Sequence, residues 1–288
     1  MLTIITVENI QEFAAHLRSK ENSDATVEKY IRAVTLLFTF LSNGKKLCKE
    51  HLLLWKEQMI SRYSTVTVNG FIAAVNGFLD FICRPDLRLR AVKTQRKIYR
   101  ESERELTFEE YLRLLNAAKI MGNMRLFYIM ETLASSGIRI SELQFITVES
   151  LKNGQATVNC KGKERVVFLT DALCRELRRY CKSENIISGS VFVTKNGNPV
   201  DRSNVWKEMK KLCAVANVDP HKVFPHNFRH LFAVTYYNEY KDVAKLADIL
   251  GHSSINTTRI YLMESGETHK RQMEKLGFIP DHSISVGL

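Results

Sequence analysis

The stretch TVEKYIRAVTLLFTFL, residues 26–41, narrows what this chain can fold into. Tyr30, Val34, Leu37, Phe38 and Leu41 recur at helical spacing, so one side of the helix is apolar. Such a helix is marginal alone in water and needs an apolar partner. TVNGFIAAVNGFLDFI, residues 67–82, supplies one, with Phe71, Val75, Phe78, Leu79 and Ile82 on the same pattern. Both stripes read as core and predict a small helical bundle over residues 1–91. Pro85 interrupts the pattern. From Arg84 to Arg104 the chain carries eight Lys or Arg and few apolar residues. This reads as a linker, assigned to residues 92–105: a solvated tether or a basic strap laid along a phosphate backbone. Thr107 and Glu110 form a capping box, so a new helix is expected near Phe108. Farther on, ATVNC and RVVFL have strand composition, with KGKE between them as a hairpin turn. SVFVT followed by NGNP reads as a further short strand and turn. Helical patterns fill most of the rest of the second domain, residues 106–288. The expected fold is mainly α with a small β-sheet.

Composition sets the class of partner. The chain has 288 residues, 45% apolar and 25% charged, enough for buried cores and unlike a disordered chain. Its formal net charge is +11, which favours polyanionic partners, nucleic acid first. The excess is distributed: 12 Lys and Arg against 9 Asp and Glu in residues 1–91, 5 against 3 in 92–105, and 25 against 19 in 106–288. Both halves could therefore touch one polyanion. The six cysteines form no C-x-x-C pair, so no zinc site is expected. No signal peptide is seen, and no apolar run approaches the ~20 residues that span a bilayer. A cytoplasmic, nucleoid-associated protein without membrane contact is expected.

Three segments carry candidate chemistry. FPHNFRHLFA (224–233) gathers His226, Arg229 and His230 within about a helical turn. LGHSSINTTRIYL (250–262) adds His252 and Tyr261, and SSGIRISEL (135–143) adds Arg139. Phosphodiester cleavage without a metal needs cationic donors on the non-bridging oxygens, an in-line nucleophile and an acid for the leaving oxygen. Each residue alone reads more simply: a solvated Arg, a half-buried Tyr, a hydrogen-bonded structural His. VAKLADILGHSSINTTRIYL even resembles part of a helix-turn-helix, which would make it a major-groove reader.

Taken in order, SSGIRISEL, CKGKERVVFL, HNFRH and LGHSSINTTRIY resemble the tyrosine recombinase, or phage integrase, family, most closely its Xer-type and transposon-encoded branches. The likeness covers the whole chain and is specific in the C-terminal half. It implies an N-terminal SAM-like helical core-binding domain and an α/β catalytic domain. It implies Arg139 and Arg229 as phosphate clamps, Lys161 as the acid for the leaving 5′-hydroxyl, and Tyr261 as nucleophile. His226 would assist proton transfer at the tyrosine, and His252 would hydrogen-bond a phosphoryl oxygen. His230 takes a supporting role. The hairpin is one residue shorter than the G-K-G-N-K-E-R form, which keeps Lys163 as the alternative to Lys161. The family likeness further implies no cofactor and no metal. The partner would be double-stranded DNA with inverted half-sites, a dimer on each and a homo-tetramer on two duplexes. The activity would be integration, excision, resolution or inversion through a 3′-phosphotyrosine and a Holliday junction. A type IB topoisomerase-like enzyme and a non-cutting DNA-binding regulator are the alternatives. The segment SGETHKRQMEKLGF, with Met273, Leu276 and Phe278, would pass to a neighbouring protomer.

Overall fold

The computed structural model describes residues 4–41, 46–93, 104–160, 163–194, 196–262, 270–271 and 273–276. The chain divides into two compact units, Met1–Arg96 and Lys97–Leu288. Among the described residues no helix is long and apolar enough to cross a membrane.

The first unit holds α1 (Val7–Ser19), α2 (Asp24–Leu41), α3 (Lys49–Arg62) and α4 (Thr65–Phe81). The stripes read from the sequence form its core. Val34, Leu37, Val75, Phe78 and Leu79 are fully buried, together with Leu52 and Trp55 of α3. Phe13 meets Phe78 edge-on, with ring centroids 5.3 Å apart. After α4 the chain makes a 3-10 turn at Pro85–Leu87 and runs extended along the bundle. Here the structure departs from a tether starting at Arg84. Asn76 grips the backbone of Leu89 from both sides, donating to its carbonyl at 2.9 Å and accepting from its N–H at 2.8 Å. Asn69, two turns earlier, does the same to Val92 at 3.0 and 2.8 Å. Leu87 and Leu89 are buried. Two asparagines seven residues apart on one helix face thus replace the strand partner that an extended segment otherwise lacks.

The second unit begins with α5 (Phe108–Ile120), whose Thr107–Glu110 capping box forms as expected. There follow α6 (Met124–Ser136), a 3-10 turn at Ile140–Phe145, α7 (Val148–Asn153), β1 (Gln155–Cys160), β2 (Lys163–Phe168), α8 (Asp171–Ser183) and α9 (Arg202–Ala216). The chain ends its described course in α10 (Pro225–Tyr240), α11 (Val243–Leu250), α12 (Ile255–Arg259) and a 3-10 turn at Ile260–Leu262. The fold is mainly helical with one two-stranded antiparallel sheet. Its register pairs Gln155 with Phe168, Val158 with Arg165 and Cys160 with Lys163. The predicted KGKE turn is therefore too long, because Lys163 and Glu164 already belong to β2. One face of the hairpin buries Ala156, Val158 and Val167, while Val166 and Phe168 face outward. SVFVT does not form a strand of its own; it makes the isolated bridge Val193–Pro199, with another from Ser190 to Thr147.

Candidate active site

Arg139 stands where α6 gives way to a 3-10 turn. Gly137 ends α6 with φ of +63°, and a Cβ there would lie 2.4 Å from the ring of Phe232 on α10. Only glycine lets the two helices approach this closely while reversing the chain. Ile138 is buried behind the turn. Arg139 is then held by Glu142, whose carboxylate accepts from its backbone N–H at 2.8 Å and from its guanidinium at 3.0 Å. Glu142 is 1% exposed and makes a second ion pair, to Arg165 at 2.7 Å. Burying a carboxylate requires this level of compensation.

α10 opens with Pro225 in its first turn, where a missing N–H does no harm. His226, Arg229 and His230 follow at helical offsets of three and four, so they share a side. Arg229 is 1% exposed. It donates to the carbonyls of Gly137 and Leu250, both at 2.6 Å, and its Nη2 meets Nε2 of His252 at 2.9 Å. Those two carbonyls belong to the ends of α6 and α11, where carbonyls lack helical partners. One guanidinium therefore satisfies two helix ends. Burial, with the like charge of Arg139 second, lowers its pKa to about 10, while Tyr261 and Glu142 work against that shift.

His252 follows Gly251, the left-handed cap of α11. A guanidinium only donates, so Nε2 of His252 accepts from Arg229 and Nδ1 carries the proton toward Thr258 Oγ1, 2.8 Å away. The neutral form suits this arrangement. Burial first, then the charges of Arg229, Arg139 and Arg165, pull its pKa down to about 4. Tyr261 is 6% exposed and packs with Ala233, Leu246 and Leu250. Three imidazoles surround its ring: His226 and His230 with centroids at 5.4 Å, and His252 stacked at 5.6 Å. Its hydroxyl lies 3.2 Å from His226 Nε2. A cleft of about 730 Å³ opens beside the group, with Arg139, Ser141, Arg202, Trp206, His226 and Arg229 in its wall.

Five of the six residues singled out in the sequence thus converge: Arg139, His226, Arg229, His252 and Tyr261. Lys161 lies outside the described residues, and Lys163 starts β2 opposite Cys160. His230 sits behind Tyr261 and faces Glu105 at 3.7 Å. The helix-turn-helix reading is set aside, because α12 has only five residues and the segment's tyrosine is turned inward. Sequence reasoning passed over Glu142, Arg165 and Thr258. Glu142 had a signal, being spaced three residues after Arg139 like a capping-box acid. Among the described residues no three His, Cys, Asp or Glu are grouped to hold a metal ion.

The chain is similar to known proteins in sequence and in fold. The family model described as the phage integrase family matches residues 104–267. Tyrosine recombinase XerA of Pyrococcus horikoshii is 26% identical over 285 residues, covering 96% of each chain. Tyrosine recombinase XerD of Staphylococcus saprophyticus is 31% identical over 232 residues, 74% of this chain and 75% of that one. A lambda integrase tetramer bound to a Holliday junction superposes with a TM-score of 0.70 at 16% identity, covering 90% of this chain and 77% of that one.

Proposed function

The chain belongs to the phage integrase family, and on that premise we propose how it acts as a site-specific tyrosine recombinase, with Tyr261 as its nucleophile. The observation that carries this reading is the Tyr261 hydroxyl held 3.2 Å from His226 beside the buried Arg229. In the proposed reaction the Tyr261 oxygen attacks the scissile phosphorus and its proton passes to His226. The bond from phosphorus to the 5′-oxygen breaks, and that oxygen takes a proton from Lys161, with Lys163 as the alternative. A 3′-phosphotyrosine results, which keeps the bond energy for rejoining. Arg139 and Arg229 hold the phosphoryl oxygens as their charge grows; losing one such contact costs ~10²–10³ in rate in other enzymes. A 5′-hydroxyl from a partner duplex then reverses the chemistry through a Holliday junction. For His252 to donate to a phosphoryl oxygen, its Nε2 must exchange Arg229 for a proton, so substrate binding would raise its pKa.

Residues 1–91 and residues 106–288 would both contact the duplex, with 92–105 as a basic tether. Two protomers would occupy inverted half-sites, and four would join two duplexes, as in the lambda integrase tetramer on its junction. Met273 and Leu276 are 71% and 63% exposed. Apolar residues so displayed on a short helical segment favour docking on a neighbouring protomer. Gly266 and Phe278 of that segment lie outside the described residues. Deleting residues 266–288 is expected to spare binding to one half-site and weaken paired occupancy.

The test uses a nicked duplex bearing the site that the full chain selects from a random-sequence DNA pool. Wild type should form a covalent adduct, and Tyr261→Phe should bind the duplex and form none. An adduct persisting in Tyr261→Phe would move the role to another residue, Tyr236 or Tyr237 first.

A further inference from the structure

Arg165 has no place in the reaction as described, yet it contacts the carboxylate that holds Arg139 and the helix end that precedes His252. It stands on the buried face of the hairpin, cross-strand from Val158, with a side chain 15% exposed. One terminal nitrogen pairs with Glu142 at 2.7 Å and the other donates to the carbonyl of Ile249 at 2.8 Å. Its stem lies directly over Gly251: a Cβ there would come within 2.3 Å of Arg165 Cδ and 2.6 Å of its Nε. Gly251 thus has two reasons to be glycine, its φ of +64° and the arginine above it. One side chain links β2, the carboxylate that holds Arg139, and the turn that carries His252.

The charges explain why the link matters. Glu142 shares its carboxylate between two guanidiniums, Arg139 and Arg165. Two cations against one anion leave a net positive charge for an incoming phosphate. Without Arg165, Glu142 would be balanced by Arg139 alone, and that pair would present no net charge. A buried carboxylate left with one partner also draws that partner toward itself.

We propose that Arg165 is a positioning residue for strand cleavage: by sharing Glu142 and bracing the Ile249–Gly251 turn, it keeps the Arg139 guanidinium turned toward, and available to, the scissile phosphate. This rests on the recombinase reading above. It differs from a purely structural role in one consequence. Removing the carboxylate should repair the loss of the arginine, because no anion then neutralises Arg139.

The experiment measures the rate of covalent adduct formation at saturating DNA on the same selected, nicked duplex. Arg165→Ala is expected to be about tenfold to a hundredfold slower, short of the ~10²–10³ for losing a direct contact. Arg165→Ala combined with Glu142→Gln should recover most of that loss. Arg165→Lys, which keeps the charge but reaches only one of the two partners Glu142 and Ile249, should fall between wild type and Arg165→Ala even if the alanine variant folds poorly. On a duplex whose scissile phosphate is a neutral methylphosphonate, the gap between Arg165→Ala and wild type should narrow. A double variant slower than Arg165→Ala, or an unchanged gap on the methylphosphonate, would overturn the proposal. A wild-type protein that forms no adduct at all would instead sink the recombinase reading.

Discussion

The two units fill their interiors with different chemistry. In the first, among the described residues, buried side chains are hydrophobic: Phe13, Leu37, Trp55, Phe78 and their neighbours. Every buried polar or charged side chain, including Glu142, Asn227, Arg229, His230 and Thr258, lies in the second. Apolar burial stabilises at about 25 cal/mol per Å² of surface removed from water. A buried cation gains nothing from that effect and must be compensated by donors, acceptors and counter-charges. The second unit has Arg229 in its interior, spanning two helix ends, and a carboxylate beside it holding two more arginines. The difference shows what each interior is for. One holds helices together by apolar burial. The other holds charges at fixed positions, which is what a developing phosphate charge requires.

Breaking each interior should have separate consequences. The largest stability effect belongs to the apolar unit. Phe78→Ala removes a ring from a fully buried site, and such changes cost about 3–5 kcal/mol. The chain's two tryptophans, Trp55 and Trp206, fall one in each unit, so a Trp206→Phe background reports the first unit alone in urea unfolding by fluorescence. The Trp55 transition should move to lower urea, while adduct formation on saturating DNA, measured where the variant remains folded, should change little.

A smaller effect is expected at the strap. Asn76→Ala strands the N–H and carbonyl of Leu89, and a buried polar group left without its partner costs about 1–3 kcal/mol. The same Trp55 transition should shift less than for Phe78→Ala. Trypsin should cut after Arg88 and Arg90 faster than in wild type.

A further effect is a slope with pH in the polar unit. Folding lowers the His252 pKa from 6.5 to about 4, so between those values the unfolded chain binds a proton that the folded one does not. Stability contributed by this residue is therefore full above pH 6.5 and lost as pH falls toward 4. His252→Gln, which can still accept from Arg229, should flatten that part of the urea-midpoint curve against pH. An unaltered slope would place the titration on another group.

The same contrast explains what could be read from the sequence. The stripes at residues 30–41 and 71–82 are legible because apolar periodicity reports burial directly. Arg139, His226, Arg229, His252 and Tyr261 are legible through motif order and spacing. Arg165 and Thr258 are not, since a lone arginine on a strand and a threonine in a turn look the same whether solvated or buried. Arg165's role is settled by the helix end at Ile249, 84 residues beyond it, and Thr258's by the turn that brings His252 against it. Asn69 and Asn76 were overlooked for a related reason. Polar residues on a helix pass for its wet face until an extended segment is laid against them.

The most direct test of a polar interior kept for chemistry is Arg229→Met, measured for both unfolding and adduct formation. Methionine fills similar space without a charge, and it removes the repulsion between Arg229 and Arg139. Against that stand the lost bonds to Gly137 and Leu250, at about 1–3 kcal/mol for each carbonyl left unpaired, so we expect the unfolding free energy to fall by about 2–6 kcal/mol, with adduct formation measured where the variant remains folded. Adduct formation on the nicked duplex should fall by ~10²–10³ or more. A variant that forms the adduct near the wild-type rate, or whose lost activity is fully explained by unfolding, would contradict that claim.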